Sequence, residues 1–222
     1  MRALAAALIA LAAVTSTVAA GGSESPAWHP RGAALRGDVD GDGSIERVVV
    51  EQRGRSCVFR LVAGSLKTRV RPSICKDKPS EVTLPGPDPH VDVLADLDGR
   101  PGLEIVLQLG HGAHTEFADL WTIRDGELRR YAGPEPHISY GGSVGTGSHY
   151  VDCSRKPGVL LIGAQVYRPP PKVIRSWYQA HGLRLQRIGT RSIRWPGGRR
   201  VPFREFGYPQ PFPTCAKARA PR

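Results

Sequence analysis

Sulphur is scarce in this chain, with one methionine and four cysteines in 222 residues, and no two cysteines stand at the short paired spacing of a zinc site. Zinc ligation of the finger type is therefore not expected. Aromatic residues make up only 7% of the sequence, and no aromatic-rich nucleic-acid motif accompanies the basic residues, so nucleic acid is not the expected partner. Beyond the amino terminus no apolar run approaches the length of a membrane span. Acids are the minority charge, with 20 Asp and Glu against 31 Lys and Arg and a formal net charge of +11. Such a balance attracts anionic polymers: cell-wall phosphates, acidic polysaccharides or anionic lipid surfaces. The basic residues are broadly spread, which fits a general preference for arginine as well as a dedicated patch. They are richest from Arg184 to Arg222.

What is present at the amino terminus sets the expected compartment. Met1-Arg2 precedes an apolar run from Ala3 to Val14, and small residues follow, ending Thr17-Val18-Ala19-Ala20. A charged start, a short apolar core and an A-x-A-like end are the pattern of a secretory signal peptide over residues 1–20. Residues 21–32 read as a flexible lead-in. No cysteine follows the apolar run, so a lipid-anchored amino terminus is not expected. In an oxidising compartment the four cysteines predict two disulfides, for which three pairings exist. Cys57 with Cys75 and Cys153 with Cys215 is the pairing that keeps each link close to one unit.

The chemistry-bearing stretch is Asp38-Val39-Asp40-Gly41-Asp42-Gly43-Ser44-Ile45-Glu46, which runs into Arg47-Val48-Val49-Val50. Oxygen ligands at alternate positions wrap a hard cation, glycine permits the tight reversal, and a later carboxylate closes the shell, a pattern that suits calcium. An EF-hand is excluded because its twelfth loop position needs a bidentate glutamate, whereas Val49 stands there in a β-branched run that resists helix. The motif recurs at near-constant spacing, as Asp96-Leu97-Asp98-Gly99-Arg100-Pro101-Gly102-Leu103-Glu104 and as Asp152-Cys153-Ser154-Arg155-Lys156-Pro157-Gly158-Val159-Leu160. Arg100 replaces the fifth-position acid in the second copy. In the third, Ser154 and Lys156 replace two acids and Leu160 the closing carboxylate. Cation affinity is expected to fall in that order, leaving one calcium site at Asp38, Asp40, Asp42 and Glu46. Asp96, Asp98 and Glu104 form a weaker second loop, where a side-chain cation can replace the metal.

Paired β-rich segments flank Gly64-Ser65, Asp125-Gly126 and His181-Gly182, and predict three hairpins. Trp121 and Trp177 occupy matching places in the second and third hairpins and read as repeated core residues. The expectation is an all-β, propeller-like single domain over residues 33–215, built of three blade-like units (about 33–90, 91–146 and 147–189). A closing segment, 190–215, would add a C-terminal hairpin around Pro196-Gly197-Gly198, and 216–222 form a basic tail.

With its loop entering a strand, Asp38 to Val50 resembles the FG-GAP and VCBS repeat family, and Ala95-Asp96-Leu97-Asp98-Gly99 is a weaker second match. The resemblance implies blades of an integrin-like β-propeller with structural calcium sites, found in adhesion and carbohydrate-associated extracellular proteins. Carried over, it implies Asp38, Asp40, Asp42 and Glu46 as ligands, with Ser44 or its carbonyl between them. The chain holds three such units, whereas closed propellers use four or more blades.

Two further groups lie outside the repeat. Gly141-Gly142-Ser143-Val144-Gly145 fits the Gly-x-Ser-x-Gly nucleophile pattern, and His111 or His149 with Asp152 completes a triad on paper. A poor helix former follows Ser143, which argues against catalysis. His111, His114, Glu116, Tyr140 and His149 lie in non-repeated connectors and are the candidates for a ligand-facing edge. A secreted binding or adhesion module ranks first, a small secreted hydrolase second and a purely structural envelope protein third.

Overall fold

The computed structural model describes residues 27–54, 58–71, 89–111, 115–133, 138–143, 147–154, 156, 158–166, 172–194 and 215. Thirteen strands and no helix are present among them: β1 (Trp28–Gly37), β2 (Glu46–Arg53), β3 (Phe59–Ala63), β4 (Leu66–Val70), β5 (His90–Ala95), β6 (Glu104–His111), β7 (Thr115–Arg124), β8 (Glu127–Arg130), β9 (Ile138–Ser143), β10 (Gly147–Cys153), β11 (Val159–Val166), β12 (Lys172–His181) and β13 (Arg184–Arg194). No described helix is long and apolar enough to cross a membrane.

The three units are visible as three four-stranded antiparallel sheets laid out alike. β1-β2-β3-β4, β5-β6-β7-β8 and β10-β11-β12-β13 are each a meander, with an irregular loop between the first two strands and a two-residue turn between the last two. β9 was not foreseen. It pairs with the first half of β7 and with β10, which fuses the second and third units into one nine-stranded sheet. Among the described residues the strands close into no barrel or ring, and β1 and β4 remain as edges of the first sheet.

Burial follows from the residue pattern. Val48, Val49 and Val50 are 0%, 1% and 0% exposed, so β2 is covered on both faces, as an unbroken β-branched run requires. Val48, Val50, Phe59 and Leu61 of the first unit pack in one cluster with Ile105, Leu107, Trp121 and Ile123 of the second. The alternate residues of the second unit, Val106, Ala118 and Leu120, join Val151, Leu160, Tyr178 and Leu185 of the third. The middle unit is thus apolar on both faces. Each fully buried Val, Leu, Ile or Phe side chain contributes about 1.5–3 kcal/mol.

Several expectations change. β1 begins at Trp28, inside the stretch read as a lead-in. The third turn is Gly182-Leu183, since His181 pairs with Arg184, and a β-bulge between Trp177 and Tyr178 takes up the offset. Trp177 keeps the ladder position of Trp121, pairing with Leu161 as Trp121 pairs with Ile105. It is only half-buried, however, and Tyr178 is the aromatic of that hairpin in the core. β13 extends to Arg194, so residues 190–194 belong to the third unit. The Cys153–Cys215 disulfide is formed, with Cα atoms 4.8 Å apart. The expected Cys57–Cys75 bond, the leader, the hairpin around Pro196 and the basic tail lie outside the described residues.

Candidate metal centre

The loops between the first two strands of each unit lie one on another. Leu103 N–H donates to the Asp38 carbonyl at 2.8 Å. A Cβ on Gly102 would sit 3.0 Å from the Val39 carbonyl oxygen, and one on Gly158 would sit 2.6 Å from the Asp98 carbonyl oxygen. The glycine of each later loop therefore rests on the backbone of the loop before it. Both glycines have positive φ, +97° and +69°, which a side chain rarely adopts.

The first two loops fold by the same local bonds. Asp38 Oδ1 accepts from Gly41 N–H at 2.7 Å, as Asp96 Oδ1 does from Gly99 at 2.8 Å. Asp40 Oδ1 accepts from Asp42 N–H at 3.1 Å, and Asp98 Oδ1 from Arg100 N–H at 2.9 Å. Short carboxylates capturing nearby N–H groups in this way make tight turns. The ninth-position glutamate closes each loop on the second-position N–H: Glu46 Oε2 accepts from Val39 at 2.9 Å and Glu104 Oε2 from Leu97 at 2.8 Å. Glu46, expected among the metal ligands, thus holds the loop backbone. The group with ligand oxygens within 4.8 Å of one another is Asp38, Asp40 and Asp42. Ser44 is exposed, and its N–H donates to Asp42 Oδ1 at 2.7 Å, which holds the Asp42 carboxyl below its ordinary value.

In the second loop Asp96, Asp98 and Glu104 converge within the same limit. Here a side chain already supplies positive charge. Arg124, the last residue of β7, places its guanidinium 2.5 Å from Asp98 Oδ2 and 3.7 Å from Glu104 Oε1. Tyr131 donates its hydroxyl to Asp98 Oδ2 at 2.8 Å, and Thr122 donates to Glu104 Oε1 at 3.2 Å. The side chains of Asp98 and Glu104 are 2% and 1% exposed. Burial, with the adjacent Asp98 charge, pushes the Glu104 carboxyl up to about 7, against the opposing Leu97 N–H, Thr122 and Arg124. Burial, with Glu104 next, likewise raises the Tyr131 phenol.

Sequence reasoning expected an internal cation but missed Arg124 and Tyr131, because they lie 26 and 33 residues from Asp98. A comparison of hairpin ends carries the signal. Ala63, Arg124 and His181 are the last residues before the three turns, and only the second is a permanent cation. No described cation stands within ion-pair distance of Asp38, Asp40 or Asp42, so three carboxylates meet there without one.

The third loop departs from the expected alignment. Asp152 and Cys153 lie within β10, and Cys153 pairs with Leu160, whereas Ala95 pairs with Glu104. The loop between β10 and β11 runs from Ser154 to Gly158 and is shorter than its counterpart, so Asp152 is a strand residue and not a first ligand. Its Oδ1 accepts from Cys153 N–H at 2.8 Å. The disulfide fastens this loop, and Cys153 Sγ lies 3.7 Å from the Asp96 carbonyl oxygen of the loop before.

The other candidates divide. Backbone register aligns His111 with Glu116 and Glu116 with Tyr140 in one row across β6, β7 and β9, while His149 pairs with Gly141. His114 lies outside the described residues. Ser143 ends β9 and pairs with Gly147, the first residue of β10. A nucleophile elbow needs a strand entering a helix, so the strand on each side removes the context for that motif. Comparison with protein-family models, with curated proteins and with solved structures returns no match in any of the three.

Proposed function

We propose that the chain is a secreted, calcium-stabilised β-repeat module of binding or adhesion type, related to the FG-GAP and VCBS repeats, with units arranged as propeller-like blades. The observation that carries this reading is the contrast between its first two loops. Both fold by the same turns, yet the second encloses Arg124 while Asp38, Asp40 and Asp42 have no described cation. Three carboxylates held this close repel one another unless a cation joins them. An all-oxygen donor set on a loop suits a hard divalent ion, and calcium tolerates irregular coordination better than magnesium does. Asp38, Asp40 and Asp42 would hold the ion, which would supply the charge that Arg124 supplies next door.

The test is the melting temperature of the mature protein in EDTA, then with calcium or magnesium. A ligand that binds only the folded state at a hundred times its Kd adds about 2.7 kcal/mol, or about 5–10 °C for a domain of this size. A calcium-selective rise supports the reading. No rise with either ion removes calcium from the reading and leaves the binding role to be decided by ligand titration, with a purely structural envelope protein as what remains if no ligand binds.

A further inference from the structure

The charges of this chain are unevenly divided. From Cys153 to Arg204 the sequence contains no Asp or Glu. β12 and β13 lie within that stretch and carry Lys172, Arg175, Arg184, Arg187, Arg191 and Arg194, none of them ion-paired with a described carboxylate. The register sets two like-charge pairs directly across the ribbon: Lys172 faces Arg194, and Arg175 faces Arg191. Directly opposed like charges destabilise a β-ladder, so both pairs cost the fold something that no described carboxylate offsets by an ion pair. Arg175 Nε is buried and has no hydrogen-bond partner among the described residues.

The same ribbon offers an aromatic surface. Trp177 is half-buried, two residues from Arg175 along β12, and its partner across the ladder is Gly189. Gly189 sets no side chain of its own against the indole, where a Cβ would lie 3.7 Å from the ring. Guanidinium forks match carboxylate and sulfate oxygens in bidentate fashion, and an indole packs against the apolar face of a sugar ring.

We propose that one face of the outer ribbon β12–β13 is a docking surface for a linear anionic glycan, with Arg175 and Arg191 clamping acidic groups beside a sugar stacked on Trp177; strand alternation puts Lys172 and Arg194 on the opposite face, outside this site. This deepens the binding-module reading and rests on its secreted, extracellular setting. A single aromatic platform fits a glycan better than single-stranded nucleic acid, which stacks successive bases on several aromatics. Basic residues on an edge strand also deter edge-to-edge pairing. That role explains Arg191 and Arg194 on β13 and leaves Arg175, on the interior strand β12, unexplained.

The experiment titrates the mature protein in calcium with polygalacturonate, with polyglutamate as a polyanion lacking sugar and with single-stranded DNA. Polygalacturonate should bind most tightly. Arg175→Gln/Arg191→Gln should weaken it about tenfold or more and lower the salt slope by about two. The control Arg31→Gln/Arg36→Gln, which removes the same charge from exposed positions on β1, should change binding little. Trp177→Ala should weaken polygalacturonate and leave polyglutamate unchanged. Equal losses in the two arginine doubles, tighter binding of DNA, or no binding with self-association of the Arg175/Arg191 variant would each overturn the proposal. The calcium-dependent melting shift, read on the same variants, should persist. Its absence in every protein would remove the calcium reading alone and leave the glycan result to stand or fall separately.

Discussion

The guanidinium of Arg124 reaches back 26 residues to lie 2.5 Å from Oδ2 of Asp98, inside a loop whose counterpart in the first unit has no such partner among the described residues. The three loops are thus fastened by three chemistries. An ion pair holds the second and a disulfide the third, and a bound cation is the proposal for the first. They lie on one another through Gly102 and Gly158, so the fastening of each bears on its neighbour.

Arg124→Met keeps the side-chain length and removes the charge, which leaves Asp98 and Glu104 buried without their cation. Breaking a buried pair from one side costs about 3–5 kcal/mol. In EDTA, urea denaturation should show a loss of that order. Added calcium should recover more stability in the variant than in the parent protein, because the vacated carboxylates regain a cation. An identical loss with and without calcium would show that the second cluster cannot exchange one cation for another.

Asp40→Ala should abolish the calcium-linked rise in melting temperature. Asp98→Ala should lower the baseline, since Arg124 and Tyr131 lose their acceptor, yet leave the calcium increment in place. Differential scanning calorimetry of both variants with and without calcium reads the two effects apart. If the increments fall equally, there is more than one site.

Much of this arrangement was legible in the sequence because local chemistry dictates it. Asp and Gly at fixed offsets make the first two loops, Val48 to Val50 make a buried strand, and Asp125-Gly126 makes a tight turn with both residues at positive φ, 53° and 72°. The third loop misled because Asp152 and Cys153 resemble loop positions one and two, while pairing to Leu161 and Leu160 draws them into β10. Arg124 and Tyr131 were hidden for a different reason. Their partners are set by how β7 and the residues after β8 pack on the loop, and periodicity does not encode that contact. β9 was lost because Ile138 to Ser143 is glycine-rich and lacks strand patterning. Its strand character comes from pairing with β7 and β10.

Stability should depend on pH through Glu104. Its ordinary value is 4.5, and in the fold it is pushed up to about 7. The native state therefore binds this proton more tightly than the unfolded chain does. The corresponding stabilisation is fully present below about 4.5 and is lost as pH rises through about 7. Glu104→Gln cannot titrate, so the difference in melting temperature between the parent and this variant should decline from pH 4.5 to 7 and level off above it. A flat difference would mean that Glu104 titrates as it does in the unfolded chain.

Cys153→Ser/Cys215→Ser opens a link of sequence separation 62. Chain-entropy reasoning puts the loss at about 4 kcal/mol, which urea denaturation of the variant against the parent would measure. A loss under about 1 kcal/mol would mean that the fold holds the tail without the bond.

Gly158→Ala tests the contact between the third and second loops. The residue has φ +69°, and its Cβ would lie 2.6 Å from the Asp98 carbonyl oxygen, a backbone atom fixed in a loop that is itself tied to Arg124, Tyr131 and Glu104. Left-handed geometry costs a non-glycine residue about 1–2 kcal/mol, and forcing atoms into filled space adds about 1–3 kcal/mol. Gly126→Ala is the matched control, with φ +72° and nothing within 4 Å of its Cβ position, so it carries the backbone term alone. Urea denaturation should place Gly158→Ala below Gly126→Ala by the steric term. Because the displaced atom belongs to Asp98, Gly158→Ala should also weaken the Arg124 ion pair and reduce the cost of Arg124→Met in the double variant. Strict additivity of the two substitutions would mean that the loops are fastened independently.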